Sequence, residues 1–405
     1  MQTYSDRFRV YRKAMQPYLG SETAIAQYNS LQEIEVHRFL LRVLLRFLQD
    51  PSKLSQHVQT EAGAVILKIA YGYSIEQHTR DPLVDMANLA LERFSLAGTP
   101  VVWLVDMVPI REFYLHSTYD EDLDIDSHFY RQEWKKQLEN VVDKPYAFVQ
   151  RRMNSGKFQP SYLSNLFKAS GYPLVGSEEE IIAKWTAGSL YTGGADTTVS
   201  SIETFFLAMT LFPGVQRKAQ EEIDQVLGGR LPTVADRGKL PYADAIVKEA
   251  LRWHPVAPMG IPHVSVEDDL LNGFYIPKGS LIMPNIWALT HDSEVYHDPM
   301  VFKPERFLGI DGREPEMDPH AVVFGFGRRV CPVSNVDKAC EDGKEVEVKP
   351  EFQAGVISHP VPWKFNVTTR SPAHEALILT VEKEHPWEES DAPDLENVSD
   401  HSLQG

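Results

Sequence analysis

The sequence predicts a mainly α fold with a small β portion. Apolar residues recur at helical spacing through most of the first half of the chain. A single helical pattern of about 35 residues then begins at Ser177. Past residue 270 the period shortens to that of brief strands.

In the first half the helical runs are Ile34–Leu48, Ala62–Ala70, Leu83–Phe94 and Trp134–Val149. The long helix opens on a capping box, Ser177 followed by Glu180, with Glu178 and Glu179 at the positive end of its dipole. It runs through Ile181, Trp185, Leu190, Ile202, Phe205, Phe206 and Met209 until Pro213 stops it. At 1.5 Å per residue it spans roughly 50 Å, enough to cross a large domain. Its centre, Tyr191-Thr192-Gly193-Gly194-Ala195-Asp196-Thr197-Thr198, is poor in helix formers. Such a weak point predicts that something approaches the backbone closely there.

A second helix covers Tyr242 to Trp253 and ends before Pro255. Gly273 to Met283 reads as two short strands joined at Pro277-Lys278-Gly279, and strand-like runs return at Glu345–Val348 and Trp363–Thr369. From Glu375 onward the chain is polar and acidic. The expectation is one domain over 1–374 and a flexible acidic tail over 375–405.

With 405 residues, 43 % apolar and 10 % aromatic, the composition is that of a globular chain with a sizeable core. A net charge of −17 argues against broad nucleic-acid binding, which needs clustered cations. Two cysteines, Cys331 and Cys340, exclude a disulfide framework and suit a reducing compartment. The most apolar early stretch, Phe39–Leu48, is interrupted by Arg42 and Arg46 and is too short to cross a bilayer. Met1 leads directly into polar, charged residues, so no signal peptide is expected and the chain as written reads as soluble.

Chemistry concentrates at Phe324-Gly325-Phe326-Gly327-Arg328-Arg329-Val330-Cys331-Pro332. Glycines permit a tight loop whose backbone can lie against a flat ligand. Arginines two and three positions before a cysteine favour its thiolate. Taken alone, the string also fits a surface turn with a buried cysteine. Three further elements precede it: Gly193-Gly194-Ala195-Asp196-Thr197-Thr198, then Glu249-Ala250-Leu251-Arg252, then Phe302-Lys303-Pro304-Glu305-Arg306-Phe307.

In this order and at these separations the four elements resemble the cytochrome P-450 family of haem-thiolate monooxygenases, eukaryotic and fungal in type. The likeness extends from Phe8-Arg9-Val10-Tyr11-Arg12 to Trp363-Lys364-Phe365. It implies a cytochrome P-450-like fold, haem b as cofactor, and electrons from NADPH through a partner reductase. Cys331 is then the iron ligand, whose electron donation favours O–O cleavage. Arg329, Arg12 and His263 hold the haem propionates, Phe324 packs beneath the macrocycle, and Gly327 is a further cofactor-binding residue. Glu249, Arg252 and Arg306 form a structural ion-pair network. Asp196 and Thr197 relay protons in the distal pocket. Val256, Ala257, Pro258, Met259, Gly260 and the turn Gly355-Val356-Ile357 are candidate substrate contacts, equally readable as core, and their apolar character favours an apolar organic substrate. Arg9, Arg12, Lys13, Arg328 and Arg329 offer a basic face to an acidic redox partner.

Two departures from the family pattern qualify this. The chain opens at what resembles the family's third major helix, so the family's membrane anchor, which implies the endoplasmic reticulum, and its first sheet have no counterpart. After Cys331-Pro332, Val333 stands where glycine is usual, and no apolar helix of about 20 residues follows. A lost internal segment between Pro332 and Asn335 accounts for this, and a catalytically inactive remnant with impaired haem binding is the alternative to an active monooxygenase. A cysteine hydrolase is rejected, because no motif positions a histidine and a partner acid.

Overall fold

A computed structural model describes residues 4–45, 51–97, 125–309, 312–331, 350–353, 355–365 and 367–396. Its longer helices are α1 (Asp6–Leu19), α2 (Asn29–Leu45), α3 (Leu54–Tyr71), α4 (Pro82–Ala97) and α5 (Ile125–Asn154). They continue as α6 (Tyr162–Ser170), α7 (Glu178–Leu211), α8 (Pro213–Leu227), α9 (Pro241–Trp253) and α10 (Pro372–Glu384). The β portion is four short strands: β1 (His263–Val264), β2 (Asp269–Leu271), β3 (Phe274–Ile276) and β4 (Leu281–Ile282). A mainly α fold with a small β portion is therefore what forms.

Contacts cluster the chain into two compact units, residues 1–58 with 197–386 and residues 59–196 with 387–405, where the sequence predicts one domain over 1–374. In the second unit the largest buried side chains are tyrosines, and three of them place their hydroxyls on acceptors. Tyr162 donates to Thr186 Oγ1 at 2.8 Å, Tyr73 donates to Asp81 Oδ2 at 2.9 Å, and Tyr191 donates to the Leu83 carbonyl. Asp81 in turn accepts the Leu83 amide at 2.8 Å and the Val84 amide at 3.2 Å, which caps the start of α4. In the first unit α7, α8 and α9 close on Leu207, Met209, Ala219, Ile246 and Trp253. Trp253 meets Phe302 edge-on at 5.6 Å, a favourable aromatic geometry.

The predicted helix from Ser177 forms as α7, 34 residues long. Ser177 Oγ accepts the Glu180 amide at 3.2 Å, while the Glu180 carboxylate reaches one residue further back, to the Gly176 amide at 2.6 Å. The helix continues without interruption through Tyr191–Thr198. A Cβ added at Gly194 would lie 2.8 Å from Ile66 of α3, whereas one at Gly193 would meet nothing within 4 Å. Part of what the weak centre admits is therefore a neighbouring helix.

The β portion differs in pairing. β3 and β4 form where two strands are expected, but each pairs with an earlier strand, β3 with β2 and β4 with β1. Trp363–Thr369, expected to be strand-like, has no strand among its described residues. Trp363 instead packs on the α7–α9 core. Glu345–Val348 lies outside the described residues.

The stretch from 375, expected as a flexible tail, is helical and anchored over its described part. Ser371 caps α10, and Val381 is fully buried. Arg38 of α2 donates to the His385 and Pro386 carbonyls at 3.3 and 2.6 Å. Within the second unit Glu388 pairs with Lys68, Asp391 with Arg152, and Asp391 accepts the Ser74 amide at 2.9 Å. An acidic composition reads as solvated chain, yet here the acids meet cations supplied some 240–320 residues earlier. Residues 397–405 lie outside the described residues.

Candidate active site: a cysteine loop, a buried ion-pair hub and two joined apolar segments

The cysteine loop is built by backbone geometry. Gly325 has φ +82° and Gly327 φ +55°, a left-handed region that glycine enters without strain. The Cys331 amide donates to the Phe324 carbonyl at 2.8 Å, and the Val330 amide to Gly327 at 3.2 Å. Phe324 and Cys331 are half-buried, while Gly327 at the tip is exposed.

Helix α1 lies against this loop. Arg12 Nη1 donates to the Val330 carbonyl at 3.2 Å. The Arg329 guanidinium stands 4.3 Å from the centre of the Phe8 ring, and Arg328 stands 5.0 Å from that of Tyr4, both within cation–π range. Residues some 320 positions apart thus meet, Arg12 and Phe8 of α1 with Val330 and Arg329 of the loop.

The ion-pair hub is complete and buried. Arg252 embraces Glu249 from Nε at 2.7 Å and Nη2 at 2.9 Å. Arg306 Nε donates to the same carboxylate at 3.1 Å, and the Lys303 amide at 2.7 Å. The remaining guanidinium hydrogens reach carbonyls of Thr290, Pro299 and Val301 from Arg252, and of His297, Asp298 and Val301 from Arg306. Glu316, which no motif marks, pairs with Arg306 at 2.6 Å. Within Pro304–Phe307, Arg306 therefore turns inward, while Glu305 turns outward to Lys218 and the Tyr242 hydroxyl. Buried charge is tolerated only with its hydrogen bonds made in this way.

Asp196 and Thr197 are consecutive half-buried positions of α7, and the Thr197 carbonyl accepts the Ser201 hydroxyl at 3.1 Å. His263 is half-buried in β1, opposite Ile282. The two candidate substrate segments are tied directly, since the Ser358 amide donates to the Val256 carbonyl at 2.9 Å. Val256, Ala257 and Val356 are half-buried and Met259 is exposed.

The sequence gives no sign of the residues that make this tie. His254 stacks on Phe352 with ring centres 3.3 Å apart and meets Ser358 Oγ at 2.9 Å. Ser200 Oγ donates to the Ser358 carbonyl at 2.6 Å, and His359 Nδ1 meets Glu203 at 2.9 Å. Burial pushes His254 down to about 3 and His291, stacked on Trp287, down to about 4. Separations of about 100 residues or more leave no local pattern from which these partners could be read.

A family model for cytochrome P-450 matches residues 1–332. The chain belongs to the cytochrome P-450 family. It is 43 % identical to the cytochrome P-450 monooxygenase ppsD of Aspergillus oryzae, over 97 % of this chain and 76 % of that protein. It is 41 % identical to claR of Ampulloclitocybe clavipes, over 97 % and 74 %. It is 40 % identical to the O-methylsterigmatocystin oxidoreductase of Aspergillus flavus, over 96 % and 75 %. By family this cytochrome P-450 is an oxidoreductase of the monooxygenase type, and the family implies haem.

The residues present fit that group. Cys331 sits half-buried at the mouth of a loop whose positive-φ glycines keep side chains off its face. Arg329 lies two residues before it, and Arg12 reaches the Val330 carbonyl at 3.2 Å, guanidinium groups suited to carboxylates. Among the described residues no group of three or more His, Cys, Asp or Glu is placed to hold an ion. Val333, Asn335 and Cys340 lie outside the described residues. Among the described residues no single helix is long and apolar enough to cross a membrane.

Proposed function

We propose that this cytochrome P-450 inserts one oxygen atom of O2 into an apolar organic substrate in fungal specialised metabolism or xenobiotic oxidation. The observation that carries the reading is the closed, positive-φ loop presenting Cys331. Haem, when bound, supplies the iron at which dioxygen is activated.

Cys331 would hold the iron as a thiolate, with Phe324 and Gly327 shaping the surface that takes the ring. Arg12, Arg329 and His263 would hold the propionates. The hub of Glu249, Arg252 and Arg306 keeps α9 and the segment before the loop in register. Asp196 takes up and passes protons at its carboxylate and Thr197 at its hydroxyl. Val256, Ala257, Met259 and Val356 exclude water from an apolar pocket. Electrons come from NADPH through a reductase that docks on Arg9, Arg12, Lys13 and Arg328. The relatives in specialised metabolism support the substrate class. The protein acts on the cytosolic face of the endoplasmic reticulum, with residues 1–374 as one catalytic domain.

The test is to express the chain with haem precursor, reduce it and add carbon monoxide. A strongly red-shifted Soret band requires thiolate ligation and supports the reading; absence of haem uptake defeats it. A second reading is a remnant with impaired haem binding, and two observations bear only on the lost segment it assumes. The family match stops at residue 332. The 413-residue alignment with ppsD is longer than the whole chain, so that relative holds residues without counterparts here. Transcripts carrying an added apolar helix after Pro332 would support this account of a lost segment.

A further inference from the structure

We infer that Ser358 is a positioning residue that locks the Gly355–Ile357 turn to the Val256–Gly260 segment, with His254 as its obligatory donor. The inference rests on the proposed function, which places both segments at the substrate.

Four hydrogen bonds meet at this one serine. Its hydroxyl donates to the Gln353 carbonyl at 3.1 Å. Its amide donates to the Val256 carbonyl at 2.9 Å. Its carbonyl accepts the Ser200 hydroxyl of α7 at 2.6 Å. Its oxygen lies 2.9 Å from His254 Nε2. A hydroxyl has one proton, and here Gln353 receives it. The Ser358 oxygen must then accept from His254, which assigns the His254 proton to Nε2.

The opposite ring nitrogen agrees with this. His254 Nδ1 is buried without a hydrogen-bond partner, a position that suits a bare lone pair better than an N–H. Burial keeps the ring neutral, with its pKa pushed down to about 3. The ring is held flat on Phe352, and Phe352 meets Trp253 at the end of α9. On the far side of the turn His359 is held by Glu203. Polar residues thus flank the apolar turn on both sides, Ser358 with His254 and His359 with Glu203. Serine suits the centre because its single hydroxyl both donates and accepts.

Hydrogen–deuterium exchange on the full chain tests this without haem. Ser358→Ala should speed exchange of the Gln353, Ser358 and Val361 amides roughly tenfold, the effect of losing one buried hydrogen bond. Amides of α9 and of Pro304–Phe307 should keep their rates. His254→Phe, which preserves the stack but lacks the donor, should copy Ser358→Ala. His254→Gln, which restores an N–H near Nε2, should revert toward the parent. Uniform acceleration of all amides, or no change, overturns the inference, as does equal behaviour of the two His254 variants.

A second arm titrates Nile red as an apolar probe. Several-fold weaker binding in Ser358→Ala and His254→Phe, with His254→Gln near the parent, supports the positioning role. Local loosening with unchanged Nile red affinity overturns it, because the segments then do not face the pocket. Failure of the parent chain to take up haem would defeat the proposed function while leaving the exchange result readable.

Discussion

The Arg12 guanidinium donates to the Val330 carbonyl, 3.2 Å away and one residue before the cysteine. The contact ties the first helix of the described chain to its reactive loop, and Phe8 beneath Arg329 reinforces it. Because the bond is solvent-exposed, Arg12→Ala should cost only about 0.5–1 kcal/mol in global stability. Thermal melts of Arg12→Ala, Phe8→Ala and the double variant measure the coupling; additive losses would show that the two contacts act independently.

The loop itself is more sensitive. Alanine at Gly325 must adopt φ +82°, at a cost of roughly 1–2 kcal/mol. Gly327, at φ +55° with open space around it, should accept asparagine for less than about 1 kcal/mol, since asparagine tolerates this region. Urea midpoints of Gly325→Ala and Gly327→Asn decide the order, and reversal would contradict the loop geometry.

Removing the hub's acid should be the most damaging single change considered. Glu249→Gln leaves Arg252 and Arg306 buried without a counter-charge, and breaking such a pair costs about 3–5 kcal/mol. Lys218→Ala breaks the exposed pair with Glu305 and should cost no more than about 1 kcal/mol. Equal effects in denaturant unfolding would refute the distinction between the two.

Adjacent glycines of α7 should respond in opposite directions. Gly194→Ala drives a methyl toward Ile66 and should destabilise by about 1–3 kcal/mol. Gly193→Ala has room, and should stabilise the helix by roughly 0.5–1 kcal/mol through its better propensity. Melting temperatures of the two variants moving together would show that the approach of α3 is not what Gly194 serves.

Acid should destabilise the first unit through two histidines. His254 and His291 stay neutral when folded, with values lowered to about 3 and about 4 by burial. In the unfolded chain both take up protons near 6.5. Below that value the unfolded state binds more protons, so stability is full above about pH 6.5 and falls as pH drops toward 4. His254→Phe should flatten part of this slope in unfolding free energy measured between pH 7 and pH 4. An unchanged slope would remove His254 as a contributor.

Local pattern was enough for α7, because Ser177, the glutamates after it and Pro213 are start and stop signals within one turn of the helix ends. It was also enough for the hub members Glu249, Arg252 and Arg306, which lie in short recognisable strings. It failed for the stretch after 375, where acidic residues read as solvated until Lys68 and Arg152 are brought to them. It failed equally for the pairing of β3 and β4: β3 closes a tight hairpin with β2 across Asn272-Gly273, and β4 pairs with β1.

The residue string sufficed for the mainly α class, for the cysteine loop with its two glycines, and for membership of the cytochrome P-450 family. These depend on spacing and residue type within a few positions, and spacing is written in the chain. Only the folded molecule showed that Arg12 reaches Val330, that Glu316 completes the hub, and that Ser358 joins two apolar segments through His254. Each of these depends on which distant groups are buried together. Burial presses most polar atoms to find a partner, and that requirement selects partners by position in space, not by order along the chain.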